Sequence, residues 1–192
     1  MIEIPIETSG RHVHLAKKDL EKLFGKGHEL KKMKKLFQPS DFAARETVDI
    51  EGENGRILKL RVIGPVRSRT QVELSKTDAI YLGITAPVRE SGNIKETPGA
   101  VLRGPENKIR IKEGIINSQR HIHCSFARAK KLGLKDRMMV SVETDGPVAV
   151  TFHNVLVRLG ENYRLCVHLD TDEGNAAGII RKGKGKIIIN NI

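Results

Sequence analysis

The sequence predicts a mainly β protein with a few short helices. Three observations carry this. Short β-branched segments, several alternating apolar with polar, recur along the 192 residues. Turn signals such as EGENG, GPEN and TDGP separate them. Helical stretches are few and brief. Many short strands closed by turns build small barrels or sandwiches.

In chain order, MIEIPIE opens as a strand that carries Glu3 and Glu7. Helices are expected over 17–23 and 30–36. Strands follow at ETVDI, RILKLRVIG and TQVELS, then a helix over 76–82. VLRGP and KIRIKEGII are strands, and 125–132 is a helix. MMVSVETDG, VAVTFHNVLVRLG and YRLCVHLD are strands, 172–181 is a helix, and KGKIIIN closes the chain as a strand.

Composition bounds the function. The chain is 39% hydrophobic and 30% charged, enough for a real core. It has no apolar run long enough to span a bilayer and no legible signal peptide. Cys124 and Cys166 are too few for a disulfide framework, so a reducing cytoplasm is expected. A net charge of +11 favours polyanions: nucleic acid, anionic membrane or a multiply phosphorylated small molecule. With 4% aromatics and no Trp, the chain is poorly supplied with stacking platforms for single-stranded nucleic acid.

An internal repeat narrows the choice. Aligning RHIHCSFARAKKLGL with TQVELSKTDAIYLGI through His123 and Glu73 superposes Ser125 on Ser75, Ala129 on Ala79, Leu132 on Leu82 and Gly133 on Gly83. VHLDTDEGNAAGI joins with His168 in the same column, Asp170 on Ser125 and Gly178 on Gly133. VHLAKKDLEKLFG adds His14, with Phe24 in place of the glycine. Each unit reads strand, metal-capable residue, N-cap, short helix. Ser75 with Asp78 and Asp170 with Glu173 have the spacing of capping boxes.

SGRHVHL and QRHIHCS each write His-x-His on a strand, where residues i and i+2 share a face. His12 with His14, and His121 with His123, are therefore bidentate arms for zinc or a similar divalent ion. With Glu73 and His168 they make six candidate ligands, suited to two ions with open positions. His28 and His153 fall outside this frame and are expected to be ordinary loop or strand residues. Cys166 would share a face with His168, as a ligand or a buried thiol, and Cys124 should point away from His123. Arg67 stands six residues before Glu73, so a continuous strand would put both on one face. A guanidinium there could clamp an oxyanion or form a salt bridge. The run Lys31–Lys35 is a dense positive segment.

SGRHVHL, QPSDFAARETV, VIGPVRSRTQVELSKTDAIYLGITAPVRESG, QRHIHCS and HLDTDEGNAAG together resemble the PduL-type phosphotransacylases (phosphate propanoyltransferases). The resemblance runs from about Ile4 to Gly178. It implies two small β-barrels capped by short α-helices, with the active site between them. One barrel would comprise 1–46 with 117–192, the other 47–116. The implied reaction interconverts a short-chain acyl-CoA and orthophosphate with the acyl phosphate and CoA, at a site of two zinc ions or other divalent metals. Position by position, the resemblance gives Glu73, His121 and His123 to an ion that meets the CoA sulfur. It gives His12, His14 and His168 to a second ion, open to phosphate. Arg67 matches a phosphate clamp, and Ser9, Lys34, Arg61, Ile63 and Asn175 match CoA contacts.

Departures from the family pattern are Cys124 for a usual methionine, Gly174 for a usual alanine, and Cys166. The implied chemistry needs no covalent acyl-enzyme. Acyl-CoA and phosphate are the expected partners, without nucleic acid or membrane and with room for a homo-oligomer. Because the chain opens on its first strand, targeting to a bacterial microcompartment by an N-terminal amphipathic segment is not expected. Two other classes remain at this point. One is another di-metal enzyme, a hydrolase or a cupin-like protein, although cupins want a glutamate soon after His-x-His. Here Lys17 and Lys18, or Phe126 and Ala127, stand there. The other is a basic nucleic-acid-binding protein with structural metal.

Overall fold

The computed structural model describes residues 2–189. In chain order the elements are β1 (Ile2–Ser9), β2 (His12–His14), α1 (Lys17–Phe24), β3 (Lys32–Lys35), β4 (Phe42–Glu51), β5 (Ile57–Gly64), β6 (Gln71–Leu74) and α2 (Lys76–Tyr81). Then come β7 (Val88–Arg89), β8 (Ala100–Arg103), β9 (Lys108–Ile111), β10 (Ile115–Ser118), β11 (His121–Cys124) and α3 (Phe126–Leu132). The chain ends with β12 (Met139–Thr144), β13 (Thr151–Leu159), β14 (Cys166–Asp170), α4 (Thr171–Ala176) and β15 (Lys182–Ile188). The protein is mainly β, and among the described residues no helix is long and apolar enough to cross a membrane.

The chain divides into two compact units, Met1–Gly10 with Gln119–Ile192, and Arg11–Ser118. The first is a closed barrel in the order β1-β14-β11-β13-β12-β15, sealed by the antiparallel pair β1–β15. Its interior packs Ile4, Ile6, Ile122, Cys124, Val140, Val142, Val155, Val157, Val167, Leu169 and Ile187. The alternation that predicted β1 is visible directly: Ile4 and Ile6 are buried while Glu3 and Pro5 are exposed.

The second unit is a half-barrel sheet in the order β7-β10-β6-β2-β5-β4-β8-β9, with β3 added to β4. Val13, Leu15, Val48, Ile50, Leu60, Val62, Val72, Leu74, Leu82, Leu102 and Ile115 fill its core. Residues 11–46 belong here rather than with the N-terminal strand. The backbone decides this: β2 pairs with β5 and β6, and β4 pairs with β5 over most of its length.

Three local expectations change. The helix expected over 30–36 is instead the edge strand β3, paired antiparallel with β4. All four of its residues are exposed, Met33 included, so the ladder to β4 and not burial of an apolar stripe holds the segment. Lysines on an edge also discourage pairing with another chain. The segment KIRIKEGII breaks into β9 and β10 at Gly114, whose φ of 128° is open to glycine. The last helix starts at Thr171 and stops at Ala176 instead of running to residue 181.

The repeat is structural. Helices α1, α2, α3 and α4 begin three residues after His14, Glu73, His123 and His168 respectively. Ser75, Ser125 and Asp170 each accept the N–H of the third helical residue. Gly83, Gly133 and Gly178, aligned by sequence, share φ values of 71°, 70° and 67°, the left-handed exit that suits glycine. Asp170 with Glu173 closes a full capping box, whereas Asp78 turns its carboxylate to Arg11.

Candidate metal centre

In the second unit the short strand β2 lies between β5, parallel to it, and β6, antiparallel to it. The register sets His12 opposite Glu73 and His14 opposite Gln71. Among the described residues, the ligand atoms of His12, His14 and Glu73 all lie within 4.8 Å of one another. His12 Nε2 is 3.6 Å from Glu73 Oε2, and His14 Nε2 is 3.9 Å from Oε1. Two imidazole nitrogens and one carboxylate converging in this way form a donor set that zinc accepts, with a fourth position left for a substrate atom.

The surroundings prepare each group for that role. His14 Nδ1 lies 3.1 Å from the carbonyl oxygen of Ile63. A carbonyl only accepts, so Nδ1 carries the proton and Nε2 presents its lone pair to the centre. Burial, aided by His12 and the Arg67 charge, pushes His14 down to about 3, which keeps the ring neutral. Burial alone would raise the Glu73 carboxyl. The neighbouring His12 and His14 and the Ser91 hydroxyl outweigh it and hold the group at about 2, ionised. Glu73 Oε1 accepts from Gln71 Nε2 at 2.6 Å and from Ser91 Oγ at 2.9 Å, leaving Oε2 toward His12.

Arg67 reaches this group by a different route from the continuous strand expected. Strand β5 ends at Gly64 and β6 begins at Gln71, so no strand joins Arg67 to Glu73. An isolated bridge with Ala16 and the Arg67 N–H to Leu15 carbonyl bond, 2.9 Å, place it instead. Its Nη1 donates to Ser91 Oγ at 3.3 Å. Gln71 and Ser91 are the participants that sequence reasoning missed. Gln71 was legible as the i−2 neighbour of Glu73, whereas Ser91 arrives from the loop at the end of the PVRESG stretch, where sequence spacing gives no link to Glu73.

The first unit repeats the strand pairing with other residues. Strand β11 lies between β13, parallel, and β14, antiparallel, and its register sets His121 opposite His168. The ring centroids are 4.6 Å apart for His121 and His123, 5.2 Å for His121 and His168, and 4.9 Å for His123 and His168. His121 Nδ1 lies 2.8 Å from the Gln119 carbonyl oxygen, which again puts the ring proton on Nδ1. His123 also packs against Tyr163, at 4.1 Å between centroids.

So the structure gathers His12, His14 and Glu73, which the resemblance divides between two ions. Of the other candidates, Ile63 is buried and contributes its carbonyl to His14. Arg61 is the register partner of His12, but its Nη1 donates to the carbonyls of Ala44, Arg45 and Glu46. Lys34 is exposed on β3, Ser9 is exposed at the end of β1, and Asn175 is exposed on α4. Cys124 and Cys166 are both buried. Burial, with Glu7 adding, pushes the Cys166 thiol up to about 12. His28 pairs with Glu46 at 2.9 Å, and His153 Nδ1 lies 2.8 Å from Ser141 Oγ.

Comparison with known proteins identifies the family. The phosphate propanoyltransferase family model matches residues 5–180. A protein of that name from Thermotoga maritima is 49% identical over 176 residues, covering 91% of this chain and 83% of the relative. One from Salmonella typhimurium is 46% identical over 91% of this chain and 83% of its own. One from Limosilactobacillus reuteri is 44% identical over 97% and 88%. The chain belongs to the phosphate propanoyltransferase family and is an acyltransferase.

Proposed function

We propose that the chain exchanges CoA and orthophosphate on a short-chain acyl group, using one divalent ion in each unit. His12, His14 and Glu73 would hold one ion, and His121, His123 and His168 the other. The observation that carries this reading is the repeated register: each His-x-His strand faces, directly across an antiparallel pair, the strand that bears its third ligand. This assignment by unit replaces the one in which Glu73 joins His121 and His123. The donor types favour zinc.

A bound zinc ion supplies Lewis acidity, lowering the basicity of a sulfur or oxygen atom that meets it. The chain's own residues do the rest. Ser91 and Gln71 hold Glu73 so that Oε2 is presented. The Ile63 and Gln119 carbonyls fix the tautomers of His14 and His121. Arg67 brings a permanent positive charge to the His14 side, suited to orienting a phosphate or stabilising a developing oxyanion. No side-chain nucleophile is required, since both cysteines are buried. The exposed lysines of β3 offer counter-charges for a CoA phosphate. The names of the relatives give propanoyl as their acyl group, so propionyl-CoA is the first substrate to try and acetyl-CoA the second.

The test is phosphate-dependent loss of the propionyl-CoA thioester, followed beside metal content before and after chelation. The reading expects about two metal equivalents, turnover only with phosphate, and loss of turnover on chelation. Thioester loss without phosphate would make the protein a hydrolase. No loss, with salt-sensitive nucleic-acid binding, would make it a binding protein.

A further inference from the structure

The arginine that precedes each His-x-His pair makes the same two contacts in both units. Arg11 Nη1 donates to Asp78 Oδ1 at 2.8 Å, and its Nε donates to the Lys59 carbonyl at 3.2 Å. Arg120 Nη1 donates to Glu173 Oε1 at 2.7 Å, and its Nε donates to the His153 carbonyl at 2.8 Å. The partners correspond by position as well as by type. Asp78 is the third residue of α2 and Glu173 the third residue of α4, the helices that follow Glu73 and His168. Lys59 lies on β5, the parallel neighbour of β2, and His153 lies on β13, the parallel neighbour of β11.

Each guanidinium therefore ties three things: the start of the His-x-His strand, the strand beside it, and the helix behind the third ligand. The fork holds Nε–H and Nη1–H at a fixed angle, so satisfying both acceptors sets their separation. A lysine ammonium could reach one acceptor but could not fix both. We propose that Arg11 and Arg120 are positioning residues of the two metal centres, Arg11 setting Glu73 against His12 and His14, and Arg120 setting His168 against His121 and His123. This rests on the two-ion reading above.

Magnitudes separate this role from plain stabilisation. The Arg11 side chain is 41% exposed and Arg120 30%, and ion pairs at such exposure add little to fold stability. Loss of a group that orients a ligand typically weakens metal binding about 10- to 100-fold. The repetition of the same nitrogen atoms, acid position and neighbouring strand is what selects the positioning role.

The experiment equilibrates the zinc-loaded full chain with graded concentrations of a competing chelator and counts zinc per chain. Wild type is compared with Arg11→Lys, Arg120→Lys and the double variant, and the melting temperature of each zinc-free protein is recorded. Each single variant should release one equivalent at roughly tenfold lower chelator concentration. It should hold the other as wild type does, and the zinc-free melting temperature should stay close to wild type. The double variant should release both early. Asp78→Ala removes the same contact from the other side and should reproduce Arg11→Lys, so a poorly folding arginine variant does not close the question. If both equivalents stay as tight as in wild type, or both weaken together with a fall in the zinc-free melting temperature, the assignment is wrong. Wild type holding no zinc would overturn the two-ion reading, and this proposal with it. Wild type holding two, with unchanged variants, would overturn only the arginine roles.

Discussion

His12 and Glu73 are direct partners across the antiparallel pair β2–β6, with Nε2 3.6 Å from Oε2. That single register position brings a carboxylate to a pair of imidazoles. Glu73→Gln keeps the shape and removes the charge. It should cost one zinc equivalent and reduce kcat/KM by roughly 100-fold or more. Because the fold holds the carboxyl at about 2 against 4.5, its charge stabilises the folded chain at neutral pH, and the metal-free variant should melt below wild type. Elemental analysis, a turnover assay and thermal unfolding check the three outcomes.

Ser91 donates to Glu73 Oε1 and accepts from Arg67 and Gln71. Ser91→Ala should free the carboxylate to rotate and loosen Arg67 together. The expected result is a fall in kcat/KM of about tenfold, with weaker zinc retention against a chelator. Ser91→Thr keeps the hydroxyl and should recover most of the loss. An alanine variant with wild-type kcat/KM and zinc retention would remove Ser91 from the site.

Glu46 is a buried carboxylate that accepts from the Lys31 N–H, at 3.2 and 3.1 Å, and pairs with His28. It anchors the approach to the lysine strand β3. Glu46→Ala should destabilise the protein by about 1–3 kcal/mol in urea unfolding, since it strands buried donors. Hydrogen exchange should accelerate first around residues 28–35.

The metal-free protein should lose stability as pH falls. His14 is held at about 3 against 6.5, and Glu73 at about 2 against 4.5. In both windows the unfolded chain binds more protons than the folded one, so stability rises with pH there. Melting temperatures of chelator-treated protein should decline from about pH 6.5 downward, through the His14 window first and the Glu73 window next. His14→Gln should flatten the upper part of that decline.

Cys124 and Cys166 are both buried, and burial raises both thiols. Native protein should resist alkylation at about pH 8 and react at both positions only after unfolding. Cys124→Ala and Cys166→Ala should each retain turnover while folded. Loss of activity with metal content intact would make a thiol part of the chemistry.

Much of the site was legible because its elements are local. His-x-His on a strand places two rings on one face whatever the fold. The capping residues Ser75, Ser125 and Asp170 and the glycines at 83, 133 and 178 mark three strand–helix units, and their shared column picked out Glu73 and His168. The misreadings have physical causes. Over 30–36, edge pairing with β4 prevailed over helix periodicity. Arg67 was placed on a strand that ends at Gly64, because a strand's end depends on its neighbour's ladder and not on its own residues.

By itself, the sequence determined the residue types and their local faces: a mainly β chain, six metal-capable side chains in two short arms and two single positions, and the arginine ahead of each arm. Only the tertiary structure decided who meets whom. Register across β2–β6 and β11–β14 joins Glu73 to His12 and sets His168 beside His121, because direct partners across an antiparallel pair lie about 5 Å apart, whatever their separation in sequence. The same pairing sends Arg11 to Asp78 and Arg120 to Glu173. Sequence spacing alone could not give these long-range partners, since strand pairing is settled by the backbone hydrogen bonds of the whole sheet.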